Sequence, residues 1–408
     1  MIFMINACVI GLGSRGFHLT RNVLLNNDDV NILAVCDLYE DRVQKVQELI
    51  KEKKGNDAKG YSDYKEAINH EGLDAVYVFT GWEWHTEIAI YAMEKGIAVA
   101  SEVGCEYSLD SLMKLVETQE RTGTPYMFME NCCYNKDELL ATAMARKGMF
   151  GTIVHCSGAY GHDLRSEVSH GLINRHYRFK NYENRNLENY PTHELGPIAR
   201  LLNINRGNRF VSVSAFASKA AGLKEYIANC EDADEVMKNT VWKQGDIVTT
   251  VITCANGETI LLRLDTTLPR SYSREFTVRG TKGLYTQENN SVYLDGEKEY
   301  WEPVDYNKAT IDNAKNYEEE FLPDIWKNIT EEQTQLGHGG MDWFVYKAFS
   351  DALQNGEPMP IDVYDAATWM AVSVLSEMSI AAGGAPQLMP DFTKGKWHLR
   401  KPEDVIKL

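Results

Sequence analysis

The run Gly11-Leu12-Gly13-Ser14-Arg15-Gly16 constrains this chain more than any other stretch, because of what stands on either side of it. Residues 6–10 (NACVI) form a short apolar segment of the kind that makes a buried strand, and FHLTRNVLLNN follows with helical periodicity. A strand that turns on glycines into a helix brings backbone N–H groups up to a phosphate. The first glycine permits the tight turn, the second admits a pyrophosphate against the backbone, and the third lets helix and strand pack closely. The helix N-terminus adds unpaired N–H groups and the positive end of its dipole. A second apolar segment, residues 31–37, ends in Asp37. At roughly 20 residues past the glycines, a carboxylate can accept hydrogen bonds from ribose hydroxyls and repel a 2′-phosphate, so the pattern favours NAD over NADP. Arg42, on the following helix, is the one residue that pulls the other way.

The alternation continues: helices over 39–53 and 63–69, a strand over 74–80, a helix over 85–95, a strand over 97–101, a helix over 108–121 and a strand over 125–131. Strands alternating with helices build a parallel sheet covered on both faces, and ligands bind beyond the carboxyl ends of its strands. That rule gathers Gly11, Gly13, Ser14, Arg15, Gly16, Asp37, Thr80, His85, Glu102 and Asn131 as the cofactor-binding set. His85 opens its helix in this reading, where capping and function are equally open to it.

After residue 150 the texture changes to longer alternating segments (151–162, 208–220, 245–254, 258–268 and 273–283), broken by turns at Asn256-Gly257 and Thr281-Lys282-Gly283. They predict a largely antiparallel sheet. A Gly-rich turn at 337–342 and helices over about 341–355 and 362–382 close the chain. At 408 residues the chain is long for one domain. The predicted division is a Rossmann domain over 1–133 and a substrate-binding α/β domain with C-terminal helices over 134–408; the fold class is α/β, a Rossmann domain followed by an α+β domain with an open sheet.

Net charge excludes some partners. At −17 the chain repels polyanions, so neither nucleic acid nor an anionic membrane is expected. The eight cysteines lie mostly in apolar runs without C-x-x-C spacing, and the apolar amino terminus is too short for a signal peptide or span. A reduced, cytoplasmic compartment is expected. His162, His170 and His176 have spacings that fit no familiar ligand set, so no metal is expected.

The richest chemistry in the second half lies in residues 185–209, centred on Tyr190-Pro191-Thr192-His193. Proline biases the residue before it away from helix, and Thr192 can then cap a helix that starts near His193. Leu195, Ile198, Ala199, Leu201 and Leu202 recur at helical spacing and bury one face. Tyr190 and His193 are left at the mouth, either as a capped, buried pair or as a proton-transfer pair.

The chain resembles the Gfo/Idh/MocA superfamily, and within it most resembles glycoside hydrolase family 109, the NAD-dependent α-N-acetylgalactosaminidases. The residues that carry the likeness are 11–16, Glu130-Asn131-Cys132-Cys133-Tyr134, Gly161-His162-Asp163-Leu164-Arg165, 190–209, 337–342 and APQLMPDF at 385–392. The superfamily's dehydrogenases carry Glu-Lys-Pro where this chain has Glu102-Val103-Gly104, so their lysine is missing. Their acidic residue four before a histidine is Asn189 here. Glu194 stands where the glycosidase family has glycine, and no export signal is expected.

The resemblance implies Tyr190 and His193 as catalytic residues, and Tyr134, His162, Asp163, Arg165, Glu194 and His338 as groups around a small glycoside. It implies hydrolysis without net oxidation: sugar C3 is oxidised, C2 deprotonated, the C1 aglycone eliminated, water added and C3 reduced again. A histidine suits the C3 hydroxyl, and a tyrosine beside a positive group suits C2. We place His193 and Tyr190 in those roles, the reverse remaining open at this point. A net sugar or polyol dehydrogenase is the alternative, and a non-catalytic nucleotide- and sugar-binding protein a more distant one. An open sheet face further suggests a homo-oligomer.

Overall fold

The computed structural model describes residues 4–296 and 309–408. The chain folds into two compact units, the first made of the residues up to Tyr134 together with Ile329–Ala367, the second of Asn135–Asn328 and Thr368–Leu408. The first unit therefore takes back a segment, 329–367, that the sequence pattern assigned to the second half.

Six strands build the first unit: β1 (Ile5–Ile10), β2 (Val30–Cys36), β3 (Lys59–Tyr61), β4 (Ala75–Val78), β5 (Ala98–Ser101) and β6 (Tyr126–Phe128). They lie in the order β3-β2-β1-β4-β5-β6, every pairing parallel. The strands are apolar almost without interruption because both faces are covered; every residue of β4 and β5 is buried. Strand order reverses between β1 and β4, the crevice where such sheets take ligands. Helix Met341–Asn355 completes this unit, stacking Tyr346 on Tyr77 (5.8 Å between centroids) and setting Phe349 edge-on to the same ring.

The second unit holds an eight-stranded sheet of β7 (Ile153–Gly161), β8 (Phe210–Ala217), β9 (Ile247–Cys254), β10 (Thr259–Asp265), β11 (Thr277–Gly280), β12 (Gly283–Thr286), β13 (Ser291–Leu294) and β14 (Gln387–Leu388). Its order is β13-β12-β11-β7-β10-β9-β8-β14. Among the described strands of this sheet only β7 and β10 pair in parallel, so it is mixed and mostly antiparallel. Burial alternates along β9 and β10, as in a sheet with one face inward. Helix Thr192–Leu201 lies against β7 at Gly158, where an added Cβ would come within 2.7 Å of Glu194 Cβ. Glycine at 158 is what lets the helix approach. None of the described helices is long and apolar enough to cross a membrane.

Candidate active site

In the first unit the glycine turn is built as its spacing implies. Gly11 has φ +94°, and a Cβ there would meet the Phe79 and Thr80 backbone; a Cβ on Gly16 would overlap the Gly11 carbonyl oxygen. Gly13 has room, an added Cβ touching only the Arg42 guanidinium at 3.4 Å. Helix Ser14–Asn22 starts from Gly13 with no side-chain cap and no acidic residue in its first turn. Its leading N–H groups and dipole therefore suit a pyrophosphate. Asp37, at the end of β2, accepts the Leu12 N–H at 2.7 Å and the Tyr39 N–H at 3.0 Å, with Arg42 Nη1 3.7 Å away. These bonds aim the carboxylate while leaving lone pairs for ribose hydroxyls. The residues present fit a dinucleotide.

Arg15, Asn131 and His338 meet on a residue the sequence reading left without a role, and Glu102 joins them through Arg15. Asp342, with no exposed side-chain surface, takes both Arg15 Nη1 (2.8 Å) and Nη2 (2.9 Å), together with Asn131 Nδ2 (2.7 Å), and pairs with His338 Nδ1 (2.8 Å). Burial alone would push its carboxyl up, but the Arg15 charge and hydrogen bonds hold it well below the usual range. Glu102 accepts from Tyr346 Oη at 2.9 Å and Arg15 Nη2 at 3.2 Å. His338, expected around the sugar, thus lies in the first unit, at φ +43°.

His85 differs from expectation in place. Its helix starts at Trp82, so the ring lies inside the first turn and caps nothing. Nε2 sits 2.9 Å from the Thr80 carbonyl oxygen, and burial pushes the imidazole down to about 4. The ring is neutral at pH 7. Tyr134, expected near substrate, has no exposed surface.

In the second unit, helix Thr192–Leu201 starts one residue earlier than its sequence suggests. Pro191 already has helical angles (φ −74°, ψ −17°) and takes the cap position, so Thr192 is inside the helix and its buried hydroxyl caps nothing. The consequence is that Tyr190 and His193 come together. Their rings meet edge to face at 4.8 Å, and Tyr160 from β7 packs on both, at 4.7 Å and 5.7 Å. His162, just past the end of β7, places Nδ1 3.1 Å from Tyr160 Oη and its ring against Tyr272 at 5.2 Å. Burial first, then Arg178, pushes the His162 imidazole down.

Arg178 supplies the charge in this cluster. Its guanidinium lies 5.3 Å from the Tyr190 ring centre and 3.1 Å from Glu167. Burial works against the ionised Glu167 carboxylate, yet Arg178 and His176 keep its pKa below normal. Asp163 and Arg165 instead pair with each other (2.8 Å and 2.6 Å), Arg165 also covering the Tyr226 ring at 4.8 Å. Glu194 is buried against β7 rather than displayed on the surface.

Of the site residues that sequence reading missed, Tyr160 had a signal. It precedes His162 by two on a strand, so both point to one face. Arg178 and Asp342 had none, since their partners lie far away in the chain or in an irregular segment.

The family model for the C-terminal domain of glycosyl hydrolase 109 matches residues 134–399. The chain belongs to glycosyl hydrolase family 109. The oxidoreductase-family model for an NAD-binding Rossmann fold matches residues 5–129. A family 109 protein of Stenotrophomonas maltophilia is 39% identical to this family 109 chain, over 98% of it and 91% of the relative. The α-N-acetylgalactosaminidase of Tannerella forsythia is 36% identical over 96% and 87%. Among solved structures, scyllo-inositol dehydrogenase from Lactobacillus casei with NAD(H) and scyllo-inositol superposes with a TM-score of 0.65, covering 94% of this chain and 99% of its own. At 11% identity that likeness concerns the fold of the family 109 chain alone.

Proposed function

We propose that this chain is an NAD-dependent glycosidase that cleaves α-N-acetylgalactosaminides or related hexosides with no net oxidation. The observation that carries the proposal is the Tyr190–His193 contact at 4.8 Å, with the Arg178 guanidinium 5.3 Å from the Tyr190 ring. Two proton-transfer groups stand together, one of them beside a cation that favours its ionised form. The relatives' names support the glycosidase class and the sugar.

Gly11, Gly13, Gly16 and the N–H groups that follow would hold the pyrophosphate of NAD, and Asp37 its adenosine ribose. When bound, NAD supplies a reversible two-electron acceptor for the sugar's C3 alcohol, so that a transient C3 ketone acidifies the hydrogen on C2. His193 takes the proton of the C3 hydroxyl, and Tyr190, ionised next to Arg178, removes the proton from C2. The electron pair released at C2 expels the aglycone oxygen from C1, leaving an enone. The aglycone oxygen takes a proton from solvent; water adds at C1 and releases its spare proton to solvent, C2 is reprotonated by Tyr190 after the phenol proton has exchanged with solvent, and His193 returns its proton to the C3 oxygen as C3 is reduced again. His162, reached through Tyr160, orients sugar hydroxyls, and Glu194 tunes which sugar is accepted.

Incubation with a chromogenic α-N-acetylgalactosaminide and trace NAD⁺ tests this reading. Repeated release of the chromophore without lasting NADH absorbance supports it. Stoichiometric NADH would make the protein a net dehydrogenase, and neither signal would make it a binding protein.

A further inference from the structure

One cluster in the second unit has no part in that chemistry. His170 follows the short helix Arg165–Ser169, and Cys230 and Asp232 lie just past helix Gly222–Ala228. They are about 60 residues apart in sequence, yet His Nε2, Cys Sγ and an Asp oxygen all fall within 4.8 Å of one another. His170 Nε2 is 3.4 Å from Asp232 Oδ1, and Cys230 Sγ is 3.2 Å from the same oxygen. Ligand atoms bound tetrahedrally to zinc at 2.0–2.3 Å stand about 3.3–3.8 Å apart, so the two measured separations are close to the edges of such a tetrahedron.

The imidazole is also prepared for a ligand. Its Nδ1 lies 2.8 Å from the Ser166 carbonyl oxygen and 2.9 Å from Ser169 Oγ, which can hold a proton on Nδ1, while Nε2, paired with Asp232 in the metal-free protein, is the nitrogen turned towards the other two groups. A backbone carbonyl on the second nitrogen is the usual partner of a metal-bound histidine. The loop is held in register too, since Asp234 accepts the Leu172 N–H and gives its own N–H to the Ser169 carbonyl. Among the described residues Cys230 is the one cysteine that is not buried, so it is the one a solvated cation can reach.

We propose that His170, Cys230 and Asp232 form a site for a borderline-soft divalent cation of the zinc class, with water in the fourth position. On binding, the thiol proton and any proton that Nε2 shares with Asp232 leave to solvent, and three bonds form, from imidazole nitrogen, thiolate sulfur and carboxylate oxygen. The cation clips helix Arg165–Ser169 to the segment after helix Gly222–Ala228. Spacing within the chain could not reveal it, because two of the three ligands come from a distant loop.

The test is cobalt titration of the full-length, chelator-stripped protein. One Co²⁺ per chain should bind with a thiolate-to-cobalt charge-transfer band that Zn²⁺ bleaches, and Zn²⁺ should raise the melting temperature. Cys230→Ser should abolish the band. Asp232→Asn, at an exposed position, should weaken binding at least 10-fold. Glycoside cleavage should be unchanged in both. Absence of the band in the native protein, or its persistence in Cys230→Ser, would overturn the proposal.

Discussion

Replacing Asp342 by Asn isolates the interaction that holds the glycine turn to the returning helix of the first unit. The native carboxylate is fully buried and holds Arg15 through two bonds of 2.8 Å and 2.9 Å, with Asn131 at 2.7 Å. The amide removes the charge and turns an NH₂ towards groups that are themselves donors. Breaking one side of a fully buried pair costs about 3–5 kcal/mol. Arg15's side chain is 32% exposed, so part of its charge is solvated, and about 2–3 kcal/mol is the discounted figure. At roughly 2–4 °C per kcal/mol for a domain of this size, the first unit's transition should drop by about 4–12 °C.

The pH dependence carries a sign. The folded Asp342 carboxyl is depressed, so its stabilisation is complete above the unfolded value of about 3.9 and fades as pH falls towards the folded value. Calorimetry across a pH series should find a constant gap between native and variant from about pH 5 to 8, narrowing below about pH 4 by roughly 1.4 kcal/mol per unit. An unchanged midpoint at neutral pH, or a gap that widens in acid, would refute the electrostatic account of this contact.

Gly16→Ala places a Cβ into the Gly11 carbonyl oxygen; isothermal titration should find NAD affinity reduced at least 10-fold, with about 1–3 kcal/mol of stability lost. Tyr190→Phe should lower kcat for glycoside cleavage by about 10²–10⁴ while thermal stability holds, and near-native rates would remove Tyr190 from the mechanism. Arg178→Met removes the cation beside Tyr190, so the ionised phenol is reached at higher pH; the rising limb of the pH–rate profile should move upward, and an unmoved limb would contradict the role of Arg178.

Local signals were legible where their physics is local. The strand, glycine turn, helix and Asp37 were readable because each glycine answers a steric demand within a few residues, and five of the six parallel strands followed from apolar runs alternating with helices; β3 (Lys59–Tyr61) was missed because it is three residues long and carries no apolar run. Helix Thr192–Leu201 was visible from its apolar spacing, but its start was not, because whether Pro191 adopts helical angles depends on what packs against Tyr190. Tyr190 and His193 were found as sequence neighbours. The charged partners were not: Arg178 reaches the Tyr190 ring from an irregular segment 12 positions away, and Asp342 meets Arg15 across 327 positions. The parallel pairing of β7 with β10 was equally hidden, since alternation identifies a strand but not its neighbour. Asp163 and Arg165 looked like free recognition groups and instead bond to each other, a contact two residues apart that depends on the turn after β7.

The central claim is that C2 of the sugar is deprotonated during a hydrolysis that leaves the sugar's oxidation state unchanged. Glycoside cleavage run in heavy water, with the product sugar analysed by NMR, tests it directly. The account predicts deuterium at C2 of the released sugar, with no deuterium at C3 and no accumulated NADH. Full hydrolysis with hydrogen retained at C2 would contradict it.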